Sequence, residues 1–197
     1  MGNRMKYSIS GKTSKSAKRF LTAASSAFFS LLCKKTFEQI TVGEICEECD
    51  YPRATFYNYF DDKYDLLGFF WQLISRQVKL EGDNAKSEHE ALELYFNRLY
   101  DLLCEYEESI RRMLEHNSRD GYFFASCKIY LTSQISEILA ALPEREDCPV
   151  PRDIIAEHYS NTLLLIFGKR FEKNAQMSKD DTRAYLEYLL LPTERRP

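Results

Sequence analysis

Residues 36–67 read TFEQITVGEICEECDYPRATFYNYFDDKYDLL. Thr41 precedes a short apolar run and has Glu44 three residues on, the spacing of a capping box, which predicts a helix over about Val42–Cys49. Asp50-Tyr51 breaks that helix, and Pro52 suits the first turn of the next, over about Pro52–Tyr59. Asp61 or Asp62 then caps a fourth helix, whose apolar stripe is Leu66, Leu67, Phe70, Leu73, Ile74 and Val78. Two short helices joined by so tight a turn describe a helix-turn-helix corner.

Outward from this corner the chain stays helical. Upstream, apolar residues at 17, 20, 21, 24, 28, 31 and 32 follow helical spacing and predict a first helix from about Thr13 to Lys34. Residues 1–12 are polar and read as a flexible basic arm. Downstream, stripes at Leu92, Tyr95, Phe96, Leu99 and Leu103, and from Phe123 through Ile138, mark two long helices with a short one near Ile110–His116 between them. Pro143, Pro149 and Pro151 interrupt the pattern, and two final helices follow at about Arg152–Phe171 and Lys179–Leu190, the last with Ser178 and Asp181 as its start signal. No sustained period-2 alternation occurs. The fold class is therefore all-α with about nine helices: an N-terminal helix-turn-helix three-helix domain at 13–67, its fourth helix running on to about 80 as a connector, and a C-terminal helical bundle at 81–197.

Net charge is only -3, which taken alone argues against a nucleic-acid partner. Its distribution argues otherwise. Residues 1–80 hold 12 Lys/Arg against 8 Asp/Glu, a balance of +4, while residues 81–197 hold 15 against 22, a balance of -7. A basic segment fused to an acidic one points to a polyanion met by the first and a separate task for the second. No stretch approaches the ~20 apolar residues of a membrane span, and Phe20–Cys33 reads as an amphipathic helix and not a leader, so a cytoplasmic protein is expected. The six cysteines (33, 46, 49, 104, 127 and 148) read as small buried hydrophobes; Cys46-x-x-Cys49 has no second pair to complete a metal site, which leaves a thiol sensor as its alternative. The three histidines stand apart, and no nucleophile–base set or phosphate loop is present, so neither an enzyme nor a cofactor nor a metal is expected.

The stretches Ile40–Cys46, Tyr51–Phe60 and Asp61–Leu67, above all Thr55-Phe-Tyr-x-Tyr-Phe60 followed by Lys63 and Leu66-Leu67, closely resemble the DNA-binding domain of the tetracycline-repressor (TetR) family of bacterial transcription regulators, over roughly residues 14–67. Phe56 and Phe60, four apart, would lock the third helix inward, leaving Arg53, Thr55, Tyr57, Asn58 and Tyr59 available to DNA, with Thr41 at the start of the second helix. Arg53 could donate twice to a guanine and Asn58 could pair with adenine or a phosphate, while tyrosine hydroxyls suit phosphates. The resemblance implies that Tyr57 and Lys63 contact the DNA backbone. Asp50 stands where the family often has Gly, and it tolerates left-handed backbone better than most residues.

The resemblance also implies a homodimer on a palindromic operator of double-stranded DNA, and a C-terminal pocket whose small-molecule effector releases it. Wide stripes on the last two helices, with Ile155, Tyr159, Leu163 and Ile166 and then Tyr185, Leu186 and Leu189, could face a partner copy. Tyr95, Phe96, Tyr100, Phe123 and Tyr130, with Arg112 and His116, could line a pocket for a planar ligand, and serve equally as filled core. A C-terminal half that binds a partner protein is the other reading.

Overall fold

The computed structural model describes residues 14–78, 87–143, 148–172 and 175–190. The expected arm at 1–12 and the last two residues of the expected connector lie outside them. The described residues form nine α-helices and one 3-10 turn, with no strand. The helices are α1 (Lys15–Leu32), α2 (Val42–Glu48), α3 (Arg53–Tyr57), α4 (Lys63–Val78), α5 (Glu88–Glu105), α6 (Glu107–His116), α7 (Tyr122–Ala140), α8 (Arg152–Arg170) and α9 (Lys179–Leu190); the 3-10 turn is Phe37–Gln39.

Local chemistry sets these boundaries. Ser14 Oγ accepts from the Ala17 amide at 3.1 Å to start α1. The Thr41–Glu44 box closes in both directions, with Thr41 N–H donating to Glu44 Oε2 at 2.9 Å and Glu44 N–H to Thr41 Oγ1 at 3.3 Å. Asp62, of the two candidates, caps α4: its Oδ1 accepts from Tyr64 N at 2.8 Å and Asp65 N at 3.0 Å. Ser178 and Asp181 exchange the same reciprocal bonds at α9, at 2.9 and 3.0 Å. Asp50 turns the chain between α2 and α3 with φ of 56°, the left-handed conformation expected of it, and is the one non-glycine at positive φ among the described residues.

One apolar cluster runs through the chain. At its N-terminal end α1 turns Phe20, Ala24, Phe28 and Leu32 inward against Phe37, Ile45, Phe56 and Phe60, each no more than 1% exposed. α4 joins this unit to the rest, placing Leu66 and Leu67 in the same core and Trp71 among the bundle helices. There Trp71 stacks on Tyr130 at 5.4 Å between ring centres and donates its indole N–H to Ser126 Oγ at 2.7 Å. α7 packs along α8, and α8 along α9. No helix among the described residues is long and apolar enough to cross a membrane.

Candidate nucleic-acid interface and adjoining cavity

α3 is only five residues long and has no side-chain cap, so packing must hold it. Phe56 and Phe60, four apart and in ring contact at 5.4 Å, anchor its inner side. Tyr51 meets Phe20 edge-on at 5.2 Å, and Tyr59 stacks on Phe20 at 4.9 Å. The outer side is left to Arg53, Ala54, Tyr57 and Asn58, all exposed. An outward face rich in donors on a helix fixed from behind is what groove reading requires.

The seven residues expected at DNA divide. Arg53, Tyr57 and Asn58 lie together on the outer face, and Tyr57 is 49% exposed. Thr55 and Tyr59 are half-buried, Tyr59 because its ring is the stacking partner of Phe20. Thr41 is exposed, but its hydroxyl donates to Glu44 Oε2 at 2.9 Å within the cap. Lys63 departs furthest from the expectation of a phosphate contact. Its ammonium donates to the carbonyls of Phe37 at 2.9 Å, Glu38 at 2.8 Å and Ile40 at 2.8 Å, and lies 4.8 Å from the centre of the Phe37 ring. All three of its protons are thereby used on the 3-10 turn, and burial lowers its pKa. Lys63 ties α4 to the turn before α2. The spacing signal could not distinguish a free cation at a helix start from one folded back onto carbonyls.

Charge around the corner is partly neutralised. Lys34 pairs with Glu48 at 3.0 Å, and Lys35 pairs with Glu44, whose carboxyl is lowered to about 2, chiefly by that bond and by the Thr41 cap. Lys15, Lys18, Arg19 and Arg53 are exposed and have no ion pair among the described residues. The Arg53 guanidinium lies across Gly43 on α2, where any Cβ would collide with it.

Residues 27–68 match the family model described as bacterial regulatory proteins, tetR family. The N-terminal segment is a TetR-type DNA-binding domain. Its presence gives the chain a DNA-binding domain of the kind found in transcription regulators. The fold is similar to that of a solved structure named "Dihydroxyacetone kinase operon activator DhaS", at 15% identity and a TM-score of 0.52, over 86% of this chain and 96% of that one. No curated protein matches the chain.

The TetR-type domain is clasped to the bundle by the α6–α7 corner, which the sequence reading missed. Asn117, 4% exposed, accepts from Phe37 N–H at 2.8 Å and donates to the carbonyls of Leu32 at 3.2 Å and Met113 at 3.0 Å. One amide thus closes the end of α6, the end of α1 and the start of the 3-10 turn. Beside it Glu38 Oε1 accepts from the Tyr122 amide at 3.1 Å, at the N-terminus of α7. Phe37, Tyr64 and Tyr122 form a three-ring cluster with centres 4.8–5.5 Å apart. Only the fold brings residues 37 and 117 together; no local pattern announces it.

A cavity of about 310 Å³ lies between α1 and the bundle helices. Ser25 and Phe29 of α1, Trp71 of α4, Leu103 of α5, Met113 of α6 and Tyr130 of α7 are among its walls. Of the seven residues expected at a pocket, it collects Phe123 and Tyr130 alone. Tyr95, Phe96 and Tyr100 are filled core, at most 3% exposed, and Tyr100 instead receives a bond from Arg170 at 3.3 Å. Arg112 and His116 face outward, Arg112 paired with Glu108 at 3.1 Å. Short spacing put these on one helix stripe, but α6 turns that side to solvent.

The residues expected at a dimer interface divide as well. Leu163, Ile166 and Leu186 are no more than 5% exposed within the single chain, and so are used by its own core. Ile155 and Tyr159 are half-buried against that core, whereas Tyr185 and Leu189 are exposed. Exposed apolar side chains on the same two helices that the sequence reading passed over are Ile154, Leu165 and Tyr188, the last at 80%. No group of three His, Cys, Asp or Glu suited to a metal occurs among the described residues. Burial raises both Cys46 and Cys49, so neither is poised as a thiolate, which disfavours the thiol-sensor reading.

Proposed function

We propose that the protein is a homodimeric transcription repressor that reads a palindromic operator with α3 and whose DNA affinity is set by a small molecule in the cavity beside α1. The observation that carries the reading is the outer face of α3. Arg53, Tyr57 and Asn58 stand exposed on a helix fixed by Phe56 and Phe60 within a TetR-type domain. Arg53 and Asn58 supply base readout, and the Tyr57 hydroxyl supplies a phosphate contact. Lys63 acts one step back, holding the 3-10 turn and the start of α2 in register with α4.

Ile154 and Leu165 on α8 and Tyr185, Tyr188 and Leu189 on α9 support a two-fold interface built as a four-helix bundle. Such a dimer sets two α3 helices about one turn of DNA apart. The cavity favours a small-molecule effector over a partner protein, because it opens inside the chain between the two functional parts.

Selection of bound DNA by the purified protein, followed by gel shift, tests the reading. Arg53→Ala should relax base preference by about 1–3 kcal/mol at one position of each half-site, whereas Tyr57→Ala should weaken all sequences alike. Neutralising ~8 phosphates gives a log–log salt slope near -7. A selection that returns no enriched sequence, or equal loss of every sequence on Arg53→Ala, refutes the assignment of α3. The structural neighbour is named an activator, so a reporter assay decides the sense: transcription that rises on deletion supports repression, and transcription that falls overturns it.

A further inference from the structure

We infer that the cavity takes a single uncharged, largely apolar small molecule, and that α1 of the DNA-binding domain senses it directly as one of the cavity's own walls. The inference rests on the effector reading above and specifies the chemistry of its ligand. At about 310 Å³ the space is at the small end of ligand pockets, which run from ~300 to 1,000 Å³. Among the described residues its walls are mostly aromatic and aliphatic, with Ser25, Ser26, Gln77 and Cys127 among the short or polar exceptions, and none carries a charge. A carboxylate or ammonium entering it would lose its hydration with no opposite charge to replace it. Arg119, which packs against Gly168 of the wall, is already paired with Glu172. Cys127, also in the wall, is pushed up to about 12 by burial, so it stays a neutral thiol.

Beside the exposed Gln77 carboxamide, the wall holds two buried hydroxyls without partners. Ser25 Oγ is buried and makes no hydrogen bond, and the same holds for Tyr130 Oη, on the wall formed by α7. The Tyr130 phenol lies near that of Tyr95, behind the wall, and burial raises both above the ordinary phenol value. Ser25 is therefore the more available partner, because one rotation about its χ1 redirects the hydroxyl. A buried hydroxyl with no partner costs stability unless something answers it. Ser25, Ser26 and Phe29 belong to α1, the helix that carries Phe20 beneath α3. A ligand in this space touches the same helix that supports the reading surface.

Two dyes with the same ring system separate the alternatives. N-phenyl-1-naphthylamine is neutral, and 8-anilinonaphthalene-1-sulfonate adds a sulfonate to it. With the full chain, the neutral dye should bind at one per chain, and the sulfonate at least about tenfold more weakly. Ser25→Ala should weaken the neutral dye by roughly 2–10-fold, the range of one hydrogen bond. Leu103→Trp or Cys127→Phe, whichever retains its circular dichroism spectrum, should abolish binding by filling the space. Saturating dye should shift operator affinity several-fold. Equal or tighter binding of the sulfonate, or neutral-dye binding indifferent to a filled cavity, overturns the ligand class. Dye bound in the cavity with unchanged operator affinity overturns α1 as the sensor and leaves the DNA-reading function standing. Loss of operator binding by the dye-free protein would instead refute the proposed function.

Discussion

The two ends of this molecule handle aromatic residues in opposite ways. Around α3, Phe20, Phe28, Phe37, Phe56 and Phe60 are at most 1% exposed and lock into one another. In the bundle, Phe123, Trp71 and Tyr130 stand around a void of about 310 Å³. Close packing transmits any change of volume, whereas a void absorbs it. The DNA-reading unit therefore behaves as a stiff body, and the bundle keeps room to rearrange. Between them stand α1, which belongs to both, and Asn117, which fastens one to the other.

That contrast can be broken experimentally, beginning with its stiff side. Phe56→Ala should cost about 3–5 kcal/mol in urea unfolding, since it empties a site with no room to collapse around it. A cost below about 1 kcal/mol would show that α3 is not held from behind. Asn117→Ala comes next, at roughly 2–4 kcal/mol, because it leaves the buried Phe37 N–H and Leu32 carbonyl without partners. Amide exchange at Phe37 should rise with it, and unchanged protection there would deny the clasp. A matched pair of substitutions then probes the void itself. Leu32→Phe, at a fully buried position, should destabilise by about 1–3 kcal/mol, while Leu103→Phe, beside the cavity, should cost less than about 1 kcal/mol or raise Tm slightly. Equal penalties at both would erase the difference in packing.

The smallest effect concerns acid. Arg170 and then Arg111 hydrogen-bond to Glu107 and hold its carboxyl below the ordinary value. A depressed carboxyl stabilises the fold fully above its unfolded pKa of ~4.3 and loses that contribution as pH falls through the folded pKa. Tm should therefore decline below about pH 4.5, and Glu107→Gln should flatten part of that decline. A variant with the same acid slope as the wild type would remove Glu107 from the account.

The sequence made the DNA-reading unit legible because its determinants are local. The Thr41–Glu44 box, the left-handed turn at Asp50 and the Phe56–Phe60 pair each act within a few residues, and each appears where the spacing placed it. The surroundings of Lys63 are not legible in the same way, because a cation's partners are set by distant carbonyls: Phe37 and Ile40 come to it only when the 3-10 turn folds over α4. Which aromatics line the cavity is hidden for a related reason. An aromatic stripe says that a helix side is covered but not whether by protein or by space, so Tyr95 and Tyr100 looked like Phe123. The contribution of α1 to the cavity is not legible from its stripe, which serves the DNA-reading core as well; Ser25 and Ser26, adjacent hydroxyls beside Ala24 and Ala27, are the one hint.

Gly43 carries a consequence for how the protein would search a genome. Its missing Cβ is the berth in which the Arg53 guanidinium rests, flat along α2 and bound to no carboxylate among the described residues. Under the base-reading role proposed for Arg53, a guanidinium resting against α2 would leave sliding to phosphate contacts until a matching site draws it outward. Adding one methyl at position 43 would displace the guanidinium from that berth, and on the proposed reading it would alter the time spent at wrong sites more than the strength of binding at the right one.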